Sequence, residues 1–127
     1  MQFEHYALNV PDPCAMAAWY VKHCGMSIAK AMDGPPFTHF LADCGGRVVM
    51  EIYRNETAPI ADYRTQNPLV FHAALAVDTP VETRDRLVAA GATLFEEVVL
   101  EDGSHLVMLR DPWGVPLQLC CRTTPFV

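Results

Sequence analysis

Four polar residues stand at matched places in two similar stretches of this chain: His5 and Glu51 in the first, His72 and Gln118 in the second. The stretch from His5 to Pro13 reads His-Tyr-Ala-Leu-Asn-Val-Pro-Asp-Pro, and that from His72 to Pro80 reads His-Ala-Ala-Leu-Ala-Val-Asp-Thr-Pro. Both fit H-x-A-L-x-V-x-x-P. The histidines are 67 residues apart, and a polar residue follows each by 46 positions near the end of an apolar run. Two imidazoles, a carboxylate and an amide at repeat-equivalent positions suggest a metal site built on a pseudo-twofold axis. Such donors suit Zn, Ni, Co, Mn or Fe, and the set does not choose among them. The alternative is a metal-free pocket in which the same groups only form hydrogen bonds.

The elements that must position these residues repeat as well. Residues 3–10 alternate and run into Pro11-Asp-Pro, a strand meeting a helix start. Asp12 can accept a bond from an open helix N–H, and Pro13 fits the first turn, where its missing donor costs nothing. The helix is expected to end near Cys24, with Met16, Trp19, Tyr20 and His23 on one face and Gly25 as the left-handed stop. In the second half, Thr79-Pro-Val-Glu82 has the capping-box pattern and Gly91 closes the helix. Three strands follow each helix, at about 26–31, 37–43 and 47–53, then 93–99, 104–110 and 115–121, separated by Asp- and Gly-bearing turns. The order is β-α-β-β-β twice: one domain over 1–127, with module one at 1–53, a polar linker at 54–68 and module two at 69–122.

Strand alternation assigns faces. His5, Ala7 and Asn9 oppose Tyr6, Leu8 and Val10; His72, Ala74 and Ala76 oppose Ala73, Leu75 and Val77. The Leu/Val face is expected under the helix, which leaves the histidines and small alanines on the other side. Glu51 shares its face with Tyr53, and Gln118 shares its face with Cys120. By the same argument Thr38 and Phe40 line the pocket. His105 joins them if the hairpin pairing at Asp111–Gly114 continues.

Bulk properties narrow the classes. A chain of 127 residues suits one domain that buries roughly two-thirds of its unfolded surface. With net charge −6 and nine Lys and Arg in no cluster, a nucleic-acid backbone would be repelled. A metal dication or a cationic small molecule would be attracted. No apolar run approaches the roughly 18 residues of a membrane span. No signal-peptide pattern opens the chain, and five scattered cysteines fit a reducing cytoplasm better than a disulfide framework.

The doubled β-α-β-β-β pattern resembles the vicinal oxygen chelate superfamily. The carrying residues are the H-x-A-L-x-V openings and the closing Asp111-Pro-Trp-Gly-Val-Pro-Leu-Gln-Leu119. This is the superfamily of glyoxalase I, bleomycin-resistance proteins, methylmalonyl-CoA epimerase and extradiol dioxygenases. The resemblance implies an α+β fold whose two modules form a curved, mostly antiparallel sheet with a concave metal and ligand site. In metal-dependent members, the first and last strands of each module supply ligands. Those positions correspond to His5, Glu51, His72 and Gln118. Glyoxalase I usually has a glutamate where this chain has Gln118, and an amide cannot act as a base. The inventory is instead similar to that of methylmalonyl-CoA epimerase with the halves exchanged.

The resemblance therefore implies a metal-dependent isomerase, lyase or epimerase. It would act through a metal-chelated enediolate on a small oxygen-rich substrate, with Glu51 moving the proton. A metal-free drug-binding protein of the bleomycin-resistance type is the rival. A non-haem iron dioxygenase using His5, Glu51 and His72 comes third. Open sheet edges imply a homodimer.

Overall fold

A computed structural model describes all 127 residues. The chain divides into two compact units, Met1–Ala61 and Asp62–Val127, and each is one β-α-β-β-β module. Module one contains β1 (Tyr6–Asn9), α1 (Pro13–Cys24), β2 (Ser27–Ala31), β3 (His39–Ala42) and β4 (Val48–Tyr53). Module two contains β5 (Ala73–Ala76), α2 (Pro80–Ala89), β6 (Thr93–Val99), β7 (His105–Arg110) and β8 (Pro116–Cys121). Each module forms a four-stranded mixed sheet, ordered β1-β4-β3-β2 and β5-β8-β7-β6. The first strand of each pairs in parallel with the last, and the other pairings are antiparallel. No helix is long and apolar enough to cross a membrane.

Local chemistry explains the first helix. Asp12 Oδ1 accepts from Ala15 N at 2.9 Å, Pro13 fills the first turn, and Gly25 ends the helix at φ 68°. In α2 the capping-box expectation is not met: Thr79 makes no side-chain cap bond, although Pro80 still opens the helix. Its C-terminal backbone turns at Ala90, and Gly91 takes the positive φ just beyond.

The helix-side cores differ in depth. In module one, α1 buries Met16, Ala17, Trp19 and Tyr20, and the sheet contributes Leu8, Val10, Leu41, Met50 and Ile52. In module two, α2 buries only Leu87, above Val107, Leu109, Leu117 and Leu119. Each full burial of such a side chain contributes about 1.5–3 kcal/mol, so module two depends on its sheet more than on its helix. Both end strands, β2 and β6, are exposed along their length.

The polar linker is shared between the modules. Asn9 Nδ2 donates to the carbonyls of Asn55 and Ala58, both at 3.0 Å, and Asn9 Oδ1 accepts from Asn55 N at 2.8 Å. That ties the linker's start to module one. Its end belongs to module two: Tyr63 is buried, and Arg110 binds the carbonyls of Tyr63 and Gln66.

The tight turn before β4 is the same turn that precedes β8. Gly46 N donates to Asp43 O and Asp43 N to Arg47 O; Gly114 N donates to Asp111 O and Asp111 N to Val115 O. The leading carboxylate also caps open amides within each turn. The strands that leave the two turns differ, however. Module one has a register shift between Leu41 and Ala42, whereas β7 and β8 pair without interruption.

Candidate metal and ligand site

In module one, the register brings Ala7, Glu51, Phe40 and Lys30 into one row across the sheet. His5 enters two residues before Ala7, on the same face. Its Nε2 stands 3.1 Å from Glu51 Oε2, and the imidazole meets the Phe40 ring edge-on at a centroid distance of 5.5 Å. The Nδ1 atom is buried and faces the Glu4 carboxylate. Both partners of the His5–Glu51 pair keep partial exposure, 26% and 20%, so a ligand can reach them. Tyr53 lies two residues beyond Glu51, opposite Asn9. Thr38 is buried just before β3, on the alternation of Phe40.

In module two, the corresponding row is Ala74, Gln118, Met108 and Glu96. Gln118 Oε1 lies 3.3 Å from the Cys120 thiol, which donates to it. Burial pushes the Cys120 thiol pKa up, with Arg122 working against that shift. His72 Nδ1 is 2.9 Å from Pro68 O. A carbonyl only accepts, so Nδ1 carries the proton, and in the neutral ring Nε2 presents its lone pair. A cavity of about 360 Å³ opens along β5, lined among others by Ala74, Ala76, Cys120, Arg122 and Phe126.

The structure corrects one pocket residue. His105 pairs with Cys121, whereas Met108 pairs with Gln118. His105 therefore faces the helix side with Val107 and Leu119, away from Gln118. There its Nε2 lies 2.7 Å from Glu97 Oε1, while Arg84 of α2 donates to Glu97 Oε2 at 2.5 Å. The hydrogen bond from Arg84, then that from His105, hold the Glu97 carboxyl below its ordinary pKa. The place expected for His105 is taken by Met108. A sequence reader needs the exact turn length to find it.

A divalent ion is the group that the histidine–carboxylate pattern implies, and the donor geometry can be tested against it. Two donors each about 2.1 Å from an octahedral ion, in adjacent positions, are separated by about 3.0 Å. The His5–Glu51 spacing of 3.1 Å is compatible with that value and equally with a direct hydrogen bond. His72, with its far nitrogen fixed by a carbonyl, has the outer support usual for a ligating imidazole. No group of three or more His, Cys, Asp or Glu side chains is gathered at metal-binding distance. Module one brings its histidine and carboxylate together, whereas in module two His72 bonds to Pro68 O and Gln118 to Cys120.

The profile of the Glyoxalase/Bleomycin resistance protein/Dioxygenase superfamily matches residues 2–119. The chain belongs to that superfamily. Solved relatives share its fold. A glyoxalase family protein from Bacillus cereus superposes with a TM-score of 0.77 at 20% identity, over 94% of this chain and 93% of that one. An antibiotic-binding protein from a Streptomyces species gives 0.73 at 17% identity, over 97% of each chain. A glyoxalase I mutant from Zea mays gives 0.74 at 22% identity, over 97% of this chain and 46% of that one. No curated protein matches the sequence.

Proposed function

We propose that this superfamily member is a metal-dependent enzyme of the glyoxalase type, an isomerase, lyase or epimerase for a small oxygen-rich substrate. The observation that carries the reading is the His5–Glu51 pair, spaced like adjacent ligands of one ion on a partly exposed sheet face. His5, Glu51, His72 and Gln118 would hold a divalent ion, Zn, Ni, Co, Mn or Fe. When bound, such an ion supplies Lewis acidity toward a pair of neighbouring substrate oxygens.

The chain's own residues do the rest. Glu51 is the only carboxylate among the four, so it is the group that takes a proton from carbon and, in an isomerase or epimerase, returns it to carbon. Gln118 binds without exchanging protons. Phe40 holds the His5 ring by its edge and, with Tyr53 and Thr38, lines the substrate side. The protein would work in the cytoplasm as a homodimer. Support for the dimer comes from Leu94, Phe95, Val98 and Val99, apolar side chains exposed on end strand β6.

A second reading has its own support. The cavity along β5 is bounded by apolar groups, Asp78 and Arg122, and net charge −6 favours cationic guests. In that reading the protein is a metal-free drug-binding protein of the bleomycin-resistance type.

Substrate turnover in deuterated water separates the two. Metal-loaded protein should incorporate solvent deuterium at carbon in a hemithioacetal or an acyl-CoA thioester, and Glu51→Gln should abolish that exchange. Absence of exchange with every such substrate, alongside tight uptake of a cationic drug by metal-free protein, would overturn the enzyme reading.

A further inference from the structure

We infer that Arg110 is a positioning residue for His72, acting through the segment that joins them rather than by touching substrate. The inference rests on the reading of His72 as a ligand, and its geometry lies wholly within module two. Arg110 is the last residue of β7 and sits opposite Pro116. Its guanidinium spends its donors on backbone carbonyls: Nη1 to Tyr63 O at 2.7 Å and Gly114 O at 3.2 Å, and Nη2 to Gln66 O at 2.8 Å. The same group lies 5.3 Å from the Phe95 ring centroid. A planar fork with fixed donor directions can hold several carbonyls at once, which a lysine ammonium on a flexible stem does less well.

These carbonyls belong to the segment that leads into His72. From Gln66 the chain passes to Asn67, whose side chain accepts from Leu69 N and whose carbonyl accepts from Val70 N, both at 2.9 Å. That closed turn sets the direction of Pro68 O, which receives the His72 Nδ1 proton at 2.9 Å. Connecting segments move more than the strands they join unless they are tied down. Here one rigid strand residue ties down both Tyr63 and Gln66. Arg110 thereby fixes which His72 nitrogen carries the proton and where Nε2 points.

The test reads the imidazole directly. Ring-nitrogen NMR of metal-free protein, above the pH at which histidine is charged and assigned with His72→Ala, should give a single Nδ1–H tautomer for His72. In Arg110→Met the two ring nitrogens of His72 should move toward averaged shifts while circular dichroism stays unchanged. Cobalt(II) affinity should fall roughly ten-fold or more. A folded Arg110→Met protein that keeps the wild-type His72 tautomer overturns the inference. If Arg110→Met does not fold, Arg110→Lys carries the test: it keeps the cation but loses the planar fork that holds Tyr63 O and Gln66 O together, and the same averaging is expected. An unchanged tautomer there overturns it equally. Failure of the wild type to bind cobalt would sink the metal reading alone, because the tautomer measurement needs no metal.

Discussion

His5 Nε2 and Glu51 Oε2 stand 3.1 Å apart, although 46 residues of chain separate them. The parallel pairing of β1 with β4 brings this about, since Ala7 lies opposite Glu51 and His5 enters along the same face. The pair is a hydrogen bond when His5 Nε2 is protonated and a pair of adjacent ligands when it is not. Glu51→Gln keeps the shape and a hydrogen-bonding oxygen but removes the charge. We expect it to fold normally and to bind cobalt(II) at least about ten-fold more weakly, as followed by visible absorption.

The network on the opposite face of module two predicts an acid-dependent stability. Glu97 is held below its ordinary pKa by Arg84 first and His105 second. A depressed carboxylate contributes stability that is fully present above its unfolded pKa and is lost as pH falls through the folded value. Glu97→Gln should therefore be less stable than wild type at pH 7. The gap should begin to close below about pH 4, where the unfolded carboxyl is protonated, and vanish only as pH falls through the lower folded value. Urea midpoints across that range check this; a gap that persists at the acid end contradicts it.

Gly114 is fixed by both conformation and space. Its φ is 93°, and an added Cβ would lie within 2.9 Å of Arg64 N. Relief would require moving backbone in the segment that also carries Tyr63 and Gln66. Gly114→Ala should cost roughly 2–4 kcal/mol, measured by urea unfolding. Gly34→Ala, where an added Cβ meets nothing within 4 Å, should cost far less.

Thiol reactivity should separate the cysteines. Cys14 and Cys44 are exposed, whereas Cys120 is buried, has a raised pKa and donates to Gln118. Since the thiolate is the reactive form, Cys14 and Cys44 should label rapidly with a maleimide and Cys120 slowly. Mass mapping after a short exposure checks the order. Cys120 labelling as fast as Cys44 would contradict the burial described.

The sequence made the doubled module legible because its signals were local. Proline, aspartate and glycine marked the bounds of α1, and alternation placed Leu8 and Val10 beneath it. The site residues of module one followed for a less secure reason. The turn at Asp43–Gly46 shifts the hairpin by one position, and the irregularity between Leu41 and Ala42 shifts it by one more, which restores the face. Phe40 therefore meets Glu51. Module two has the same turn without that compensation, so every face assignment on β7 reverses. His105 was lost and Met108 gained by this single step. Turn composition does not reveal whether a bulge follows. The role of Arg110 was hidden too, because its partners are backbone carbonyls, which leave no mark on residue identity.

The most direct test of the metal reading is elemental mass spectrometry of untagged protein beside His5→Ala and His72→Ala. We predict about one divalent ion per chain in the wild type and loss of that ion in both variants, each of which removes one ligand of the proposed set. No ion in wild-type protein, even after incubation with Ni, Co, Zn, Mn and Fe(II), would contradict the account and leave the cavity along β5 as the site of function.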